Sequence, residues 1–263
     1  MEYIQHHLFN LSVGSGLMSL NLDDIVLSWL IGGLLVFIGW RVGRRLEAGT
    51  PTGAQNALES VVEFVNNQAS SLFPRPDPLV GPLALTIFLW VLAMNAMDLV
   101  PVDFLPLVAQ WVGATFFGMA PHEVHFRAVP TAGLSTAFAL SLSIFALSIV
   151  YAIKHKGVLG YLKGYLTHPF GIWLAPVNIV MSIVEEVAKP LSLALRLFGN
   201  MFAGELVFML IALVGFTWVM LPVQIALGWT WTAFEMLIIL IQAFIFMLLS
   251  VVYLALASST ESH

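Results

Sequence analysis

Arg196, Asn200 and Glu205 stand inside a long apolar run, in the stretch Lys189-Pro-Leu-Ser-Leu-Ala-Leu-Arg-Leu-Phe-Gly-Asn-Met-Phe-Ala-Gly-Glu205. An ionisable side chain at bilayer depth costs about 2.5–3.5 kcal/mol on insertion scales, so such residues face a protein interior or a wet cavity and mark an ion or substrate path. At 100° per residue, Glu185, Lys189, Ser192, Arg196 and Asn200 fall on one stripe of a helix, whereas Glu205 lies about 180° round from Arg196. A second apolar run carries Glu235 and Gln242, which share a face. The chemistry on offer is a fixed positive charge on one side and proton-exchanging carboxylates on another.

The elements that must hold these residues follow from composition. The chain of 263 residues is 59% hydrophobic and 10% charged, where an ordinary soluble domain is about 25% charged. It is an all-α polytopic membrane protein, read as one membrane domain over residues 1–263. The absence of cysteine excludes disulfides and thiolate metal sites. A net charge of −5, thinly spread, calls for no nucleic-acid partner. Residues 1–24 hold no Lys or Arg and resemble no cleavable signal peptide, so they read as an external N-terminus.

Residues 25–42 form the first expected span, followed by Arg41, Arg44 and Arg45. Residues 49–72 place Leu58, Val61, Val62 and Val65 at spacings of three and four, which predicts an amphipathic helix on the cytoplasmic surface or against a partner. A plain surface helix fits the same pattern. Pro74, Pro76 and Pro78 then turn the chain. Residues 79–100 form the second span, with Asn95 and Asp98 near its outer end. Residues 102–129 read as an external segment, and residues 134–153 as the third span. His122-Glu-Val-His125 lacks the spacing that sets two His on one helix face, so it reads as a polar loop. Arg41, Arg44, Arg45, Arg75, Lys154, Lys156 and Lys163 gather on one side and Arg127 on the other, which places the N-terminus outside and the C-terminus in the cytoplasm.

Residues 172–217 and 221–257 are too long for simple spans: as continuous helices they would run roughly 69 and 55 Å against a hydrocarbon core of about 30 Å. Each is either one steeply slanted helix or two shorter ones broken at Pro176, Pro190 or Gly215. Charge counting does not separate the two. For a hairpin turning at Val219, Arg196 and Gln242 lie equally far from the turn, and Glu205 and Glu235 nearly so. This sets Arg196 opposite Gln242 and Glu205 at the depth of Glu235.

The stretch from Pro190 to Glu205 resembles the signature of subunit a of the rotary F-type ATP synthase. The resemblance extends to Ile241-Gln-Ala-Phe-Ile-Phe246, Met94-Asn-Ala-Met-Asp-Leu-Val-Pro101 and Tyr3-Ile-Gln-His-His7, the last similar to proteobacterial members. It implies a hairpin of two long slanted helices, packed against a rotor ring of small helical-hairpin subunits with membrane-embedded carboxylates. It also implies peripheral-stalk membrane subunits as partners, the bacterial inner membrane as location, and no cofactor. Arg196 then corresponds to the family's essential arginine, the fixed charge between two offset proton half-channels. Asn200, Glu205, Glu235 and Gln242 line the outer half-channel, with Asn95 and Asp98 at its mouth. Glu185 and Lys189 either form a helix ion pair or, with Glu186 and Ser192, serve the inner half-channel.

One position departs from the pattern. Enterobacterial members carry histidine where this chain has Glu235, and mitochondrial members exchange the acid and the histidine between the positions of Glu205 and Glu235. Two carboxylates replace the mixed pair here, which predicts that Glu205 and Glu235 share a proton as neighbouring buried acids do. The pair also suits a cation, the sodium-coupled version of the same subunit. A secondary transporter with a midplane site would use similar residues but predicts inverted repeats, which the sequence lacks. An intramembrane metalloenzyme would need His or carboxylate clusters within the spans, and all His residues fall in terminal or connecting segments. With no phosphate-binding glycine loop, the chain is no enzyme and makes no ATP itself.

Overall fold

A computed structural model describes residues 12–13, 20–46, 49, 53–73, 77–100, 107–108, 110–111, 114–115, 118, 129–167, 170–214 and 220–259. Six long helices run through them: α1 (Leu22–Gly43), α2 (Gly53–Leu72), α3 (Val80–Ala96), α4 (Leu134–Thr167), α5 (Ala175–Val214) and α6 (Leu221–Ser258). Five of these, all but α2, are long and apolar enough to cross a membrane. The Tyr3 to His7 motif, the His122 to His125 loop, Pro74, Pro76 and the Val219 turn lie outside the described residues.

Several boundaries differ from those read off the sequence. A two-residue antiparallel pair, β1 (Ser12–Val13) with β2 (Leu20–Asn21), precedes α1. The third apolar run ends a few residues beyond Ile153, at Gly157, whose non-helical dihedrals (φ 71°, ψ 162°) join it at a kink to a second helical stretch that reaches Thr167; α4 denotes both. Only glycine takes that φ without a steric penalty, so one residue closes the first stretch and redirects the chain into the second. The two long runs are single helices of 40 and 38 residues. Pro190 sits inside α5 and removes one helical hydrogen bond without ending the helix.

The chain divides into two compact units. The first comprises 1–46, 89–136 and 197–243. Its apolar core packs Leu27 and Ile31 of α1 against Met94 of α3, with Leu35, Trp90, Ala93 and Met97 around them. The Trp90 ring lies against Gly32 of α1, where an added Cβ would make an ordinary van der Waals contact at 3.6 Å. Asn21 bridges Asp24 and Ser135 at 3.2 and 3.3 Å.

The second unit comprises 47–88, 137–196 and 244–263. Here α2 turns Val65 and Ala69 inward, both buried, and Phe64 lies against Phe88 and Phe244 at centroid distances of 6.4 and 5.8 Å. Of the expected apolar stripe, Val65 is buried and Leu58, Val61 and Val62 are half-buried. The α4–α5 connection is pinned by Asn178, fully buried. Its Oδ1 accepts from the Phe170 amide at 3.1 Å, and its Nδ2 donates to the carbonyls of Leu166 and Gly171 at 3.0 and 2.8 Å.

Candidate functional site

The polar residues of the first unit come to lie where the chain offers little water. Asn95, Asp98, Glu205, Glu235 and Gln242 are all buried, Asn95 and Glu235 completely. Each is delivered by a different local device. Asn95 sits in the last turn of α3, and a 3-10 turn at Met97–Leu99 tightens the helix end so that Asp98 enters the interior. Asp98 is thus a buried group.

Glu235 of α6 points toward Gly204 of α5. A Cβ added at Gly204 would stand 2.8 Å from Glu235 Oε1 and 3.0 Å from Asp98 Oδ2. The missing side chain makes the room in which the two carboxyl groups meet. Neither Glu235 oxygen accepts a hydrogen bond from a fixed donor among the described residues, while the Asp98 carboxyl lies within hydrogen-bonding reach. Two carboxyl groups bind one another only through a proton held between them. The side-chain atoms of Asn95 are likewise buried without a partner among the described residues.

Asn200 Nδ2 donates to Gln242 Oε1 at 2.9 Å. The residue that bonds Gln242 is Asn200, one turn along α5 from the Arg196 set opposite it by depth counting, while Gly204 beside Glu235 keeps the expected match of Glu205 with Glu235 in depth. Along α5, Glu185, Ser192 and Asn200 are exposed and Arg196 and Lys189 half-buried, whereas Glu205 is turned inward and buried. The opposition of Arg196 and Glu205 expected from the helical repeat is present because α5 is continuous.

In the second unit Glu185 Oε1 lies 2.8 Å from Lys189 Nζ, an ion pair one turn apart. Glu186 accepts instead from the Tyr161 hydroxyl, at 3.1 and 3.0 Å to its two oxygens, and Tyr161 meets the Tyr165 hydroxyl at 2.8 Å. These tyrosines were not anticipated among the functional residues. Their i, i+4 spacing on one helix face was the available signal.

A family model described as ATP synthase A chain matches residues 25–255, nearly the whole chain and every site residue of this subsection. The chain belongs to the ATP synthase A chain family. Similar A chains cover it from end to end. It is 50% identical over 261 residues to the ATP synthase subunit a of Idiomarina loihiensis, covering 98% of this chain and 96% of that one. It is 46% identical over 263 residues to the subunit a of Alkalilimnicola ehrlichii, covering 100% and 98%. The subunit a of Chromobacterium violaceum is 45% identical over 273 residues, at 100% and 98%. Within this A chain, the acid at 235 is partnered by Asp98 across Gly204, an arrangement that no single stretch of sequence displays.

Proposed function

We propose that the chain is the non-catalytic stator subunit through which protons reach and leave the rotor ring of a rotary ATP synthase in a bacterial inner membrane. As one membrane domain with its N-terminus outside and its C-terminus in the cytoplasm, it sets α5 and α6 as a slanted hairpin against the ring. Peripheral-stalk membrane subunits hold it in place. The observation that carries this reading is the burial of Asn95, Asp98, Glu205, Glu235 and Gln242 within one unit of a chain with five apolar spans. Buried ionisable groups in such a chain belong to an ion path.

In this scheme Asp98, Glu235 and Glu205 carry protons along the outer half-channel, with Asn95 beside them and the Asn200–Gln242 contact fixing the hairpin. Arg196 is the fixed charge between the half-channels. An arginine side chain keeps its proton at physiological pH, so it attracts an ionised rotor carboxylate and passes no proton on. At 4 Å and an effective dielectric near 20 the attraction is on the order of 4 kcal/mol, enough to offset much of the cost of bringing that carboxylate into the interface. The inner half-channel runs past Ser192 and Glu186, and the Glu185–Lys189 ion pair braces its wall.

The test is proton pumping in vesicles that carry the complete complex. Arg196→Ala abolishes ATP-driven pumping and opens a passive leak. Coupled pumping retained by that variant would overturn the assignment.

A further inference from the structure

The second unit contains a cavity of about 580 Å3 between α4 and α5. From α4 it is faced by His155, Lys156, Lys163 and the Tyr161 and Tyr165 hydroxyls, from α5 by Glu185, Glu186 and Lys189, and from the end of α6 by Ser259. An adjoining cavity adds Tyr253 of α6. Two carboxylates that are neighbours in sequence therefore border one space, and their surroundings differ.

Glu185 is engaged by an ammonium group, Lys189 Nζ at 2.8 Å. Glu186 is engaged only by hydroxyls: both of its oxygens lie near Tyr161 Oη, and Tyr161 Oη lies 2.8 Å from Tyr165 Oη. An ammonium donates and never accepts, whereas a phenol does both. A proton can thus leave Glu186 through hydroxyls but not through Lys189. Pro190, four residues on, has no amide hydrogen, so the backbone carbonyl of Glu186 also lacks its helical donor and stays available as an acceptor in the same place.

We propose that Glu186 is the proton-exchanging group of the inner half-channel, with Tyr161 and Tyr165 as its hydroxyl relay. This rests on the proton-channel reading above. The step balances without any charged phenol: protonated Glu186 gives its proton to Tyr161 Oη as Tyr161 gives its own to Tyr165 Oη and Tyr165 releases one to water. The net change is one proton moved from carboxyl to water, and the reverse sequence loads Glu186. Glu185 takes no part in the transfer and contributes the ion pair that shapes the wall.

Proton pumping by the whole complex in vesicles, recorded against pH on the cytoplasmic face, tests the proposal. Glu186→Gln slows pumping about a hundredfold or more, the scale of losing one proton-transfer group. Tyr161→Phe and Tyr165→Phe slow it less and displace the pH profile. Glu185→Gln alters the rate but leaves the shape of the profile as in the parent. A parental rate and profile in Glu186→Gln, or a Glu185→Gln profile displaced as far as that of Glu186→Gln, overturns the proposal. If Glu186→Gln fails to assemble, the two Phe variants decide, since each removes one oxygen and keeps the ring; parental profiles in both overturn it. Arg196→Ala separates the two levels: coupled pumping in that variant defeats the channel reading itself, while its loss beside a normal Glu186→Gln defeats only the relay.

Discussion

The carboxyl groups of Asp98 and Glu235, more than a hundred residues apart in sequence, meet over the Cα of Gly204. A Cβ there would lie 2.8 Å from Glu235 Oε1 and 3.0 Å from Asp98 Oδ2. Gly204→Ala therefore has to push the acids apart. Small misplacements of reacting groups cost up to about a hundredfold in rate, so pumping should fall at least tenfold while the complex still assembles. Pumping at the parental rate would show that the acids have room elsewhere.

The same contact makes a prediction about coupling. Asp98→Asn and Glu235→Gln keep the shape of each side chain but remove its acidity. If one proton is held between them, the double variant should pump no worse than the poorer single variant, because groups that act as a unit are not additive. Losses that multiply would mean that the two acids work independently.

Gln242 is buried and accepts from Asn200 at 2.9 Å. Gln242→Leu removes the acceptor of the Asn200 amide, and the net value of such a hydrogen bond is about 0.5–1.5 kcal/mol. Thermal unfolding of the purified subunit in detergent should show a lower Tm, and Asn200→Leu added to it should restore part of the loss. A double variant less stable than Gln242→Leu alone would contradict this pairing.

Asn178 makes three hydrogen bonds to backbone groups between Leu166 and Gly171. Asn178→Ala removes all three partners at once, and each buried group left unmet costs about 1–3 kcal/mol. The measurable outcome is faster proteolysis of the α4–α5 connection, with cleavage elsewhere unchanged. Equal cleavage rates in parent and variant would remove Asn178 from this role.

Much of this arrangement was legible in the sequence where the helical repeat carries it. Arg196 and Glu205 fall on opposite faces of α5 because nine residues at 100° come to half a turn beyond full rotations, and a continuous helix preserves that count. The apolar lengths of the spans were legible for the same reason. What depends on tertiary placement was not. Asp98, three residues before Pro101, reads as an interfacial acid, and only the 3-10 turn at Met97–Leu99 buries it. That Asn200 is the residue bonding Gln242 was not legible either, because depth counting ranks residues by distance from a turn and does not choose between neighbours on one face. Pro190 reads as a break, yet a single missing hydrogen bond does not end a helix whose remaining turns are intact. Tyr161 and Tyr165 lie beyond the expected third span, in a second helical stretch that begins after the kink at Gly157.

Two polar contacts between α5 and α6, Asn200 with Gln242 and Gly204 with Glu235, lie one helical turn apart on α5. Apolar surfaces alone slide past each other at small cost, but a slip of one turn, about 5.4 Å, would strand the buried Gln242 amide and drive a side chain into the Glu235 carboxyl. The hairpin is thus notched like a ratchet bar. Its two arms are keyed together, so a load along either one is carried by polar side chains rather than by apolar surfaces free to creep.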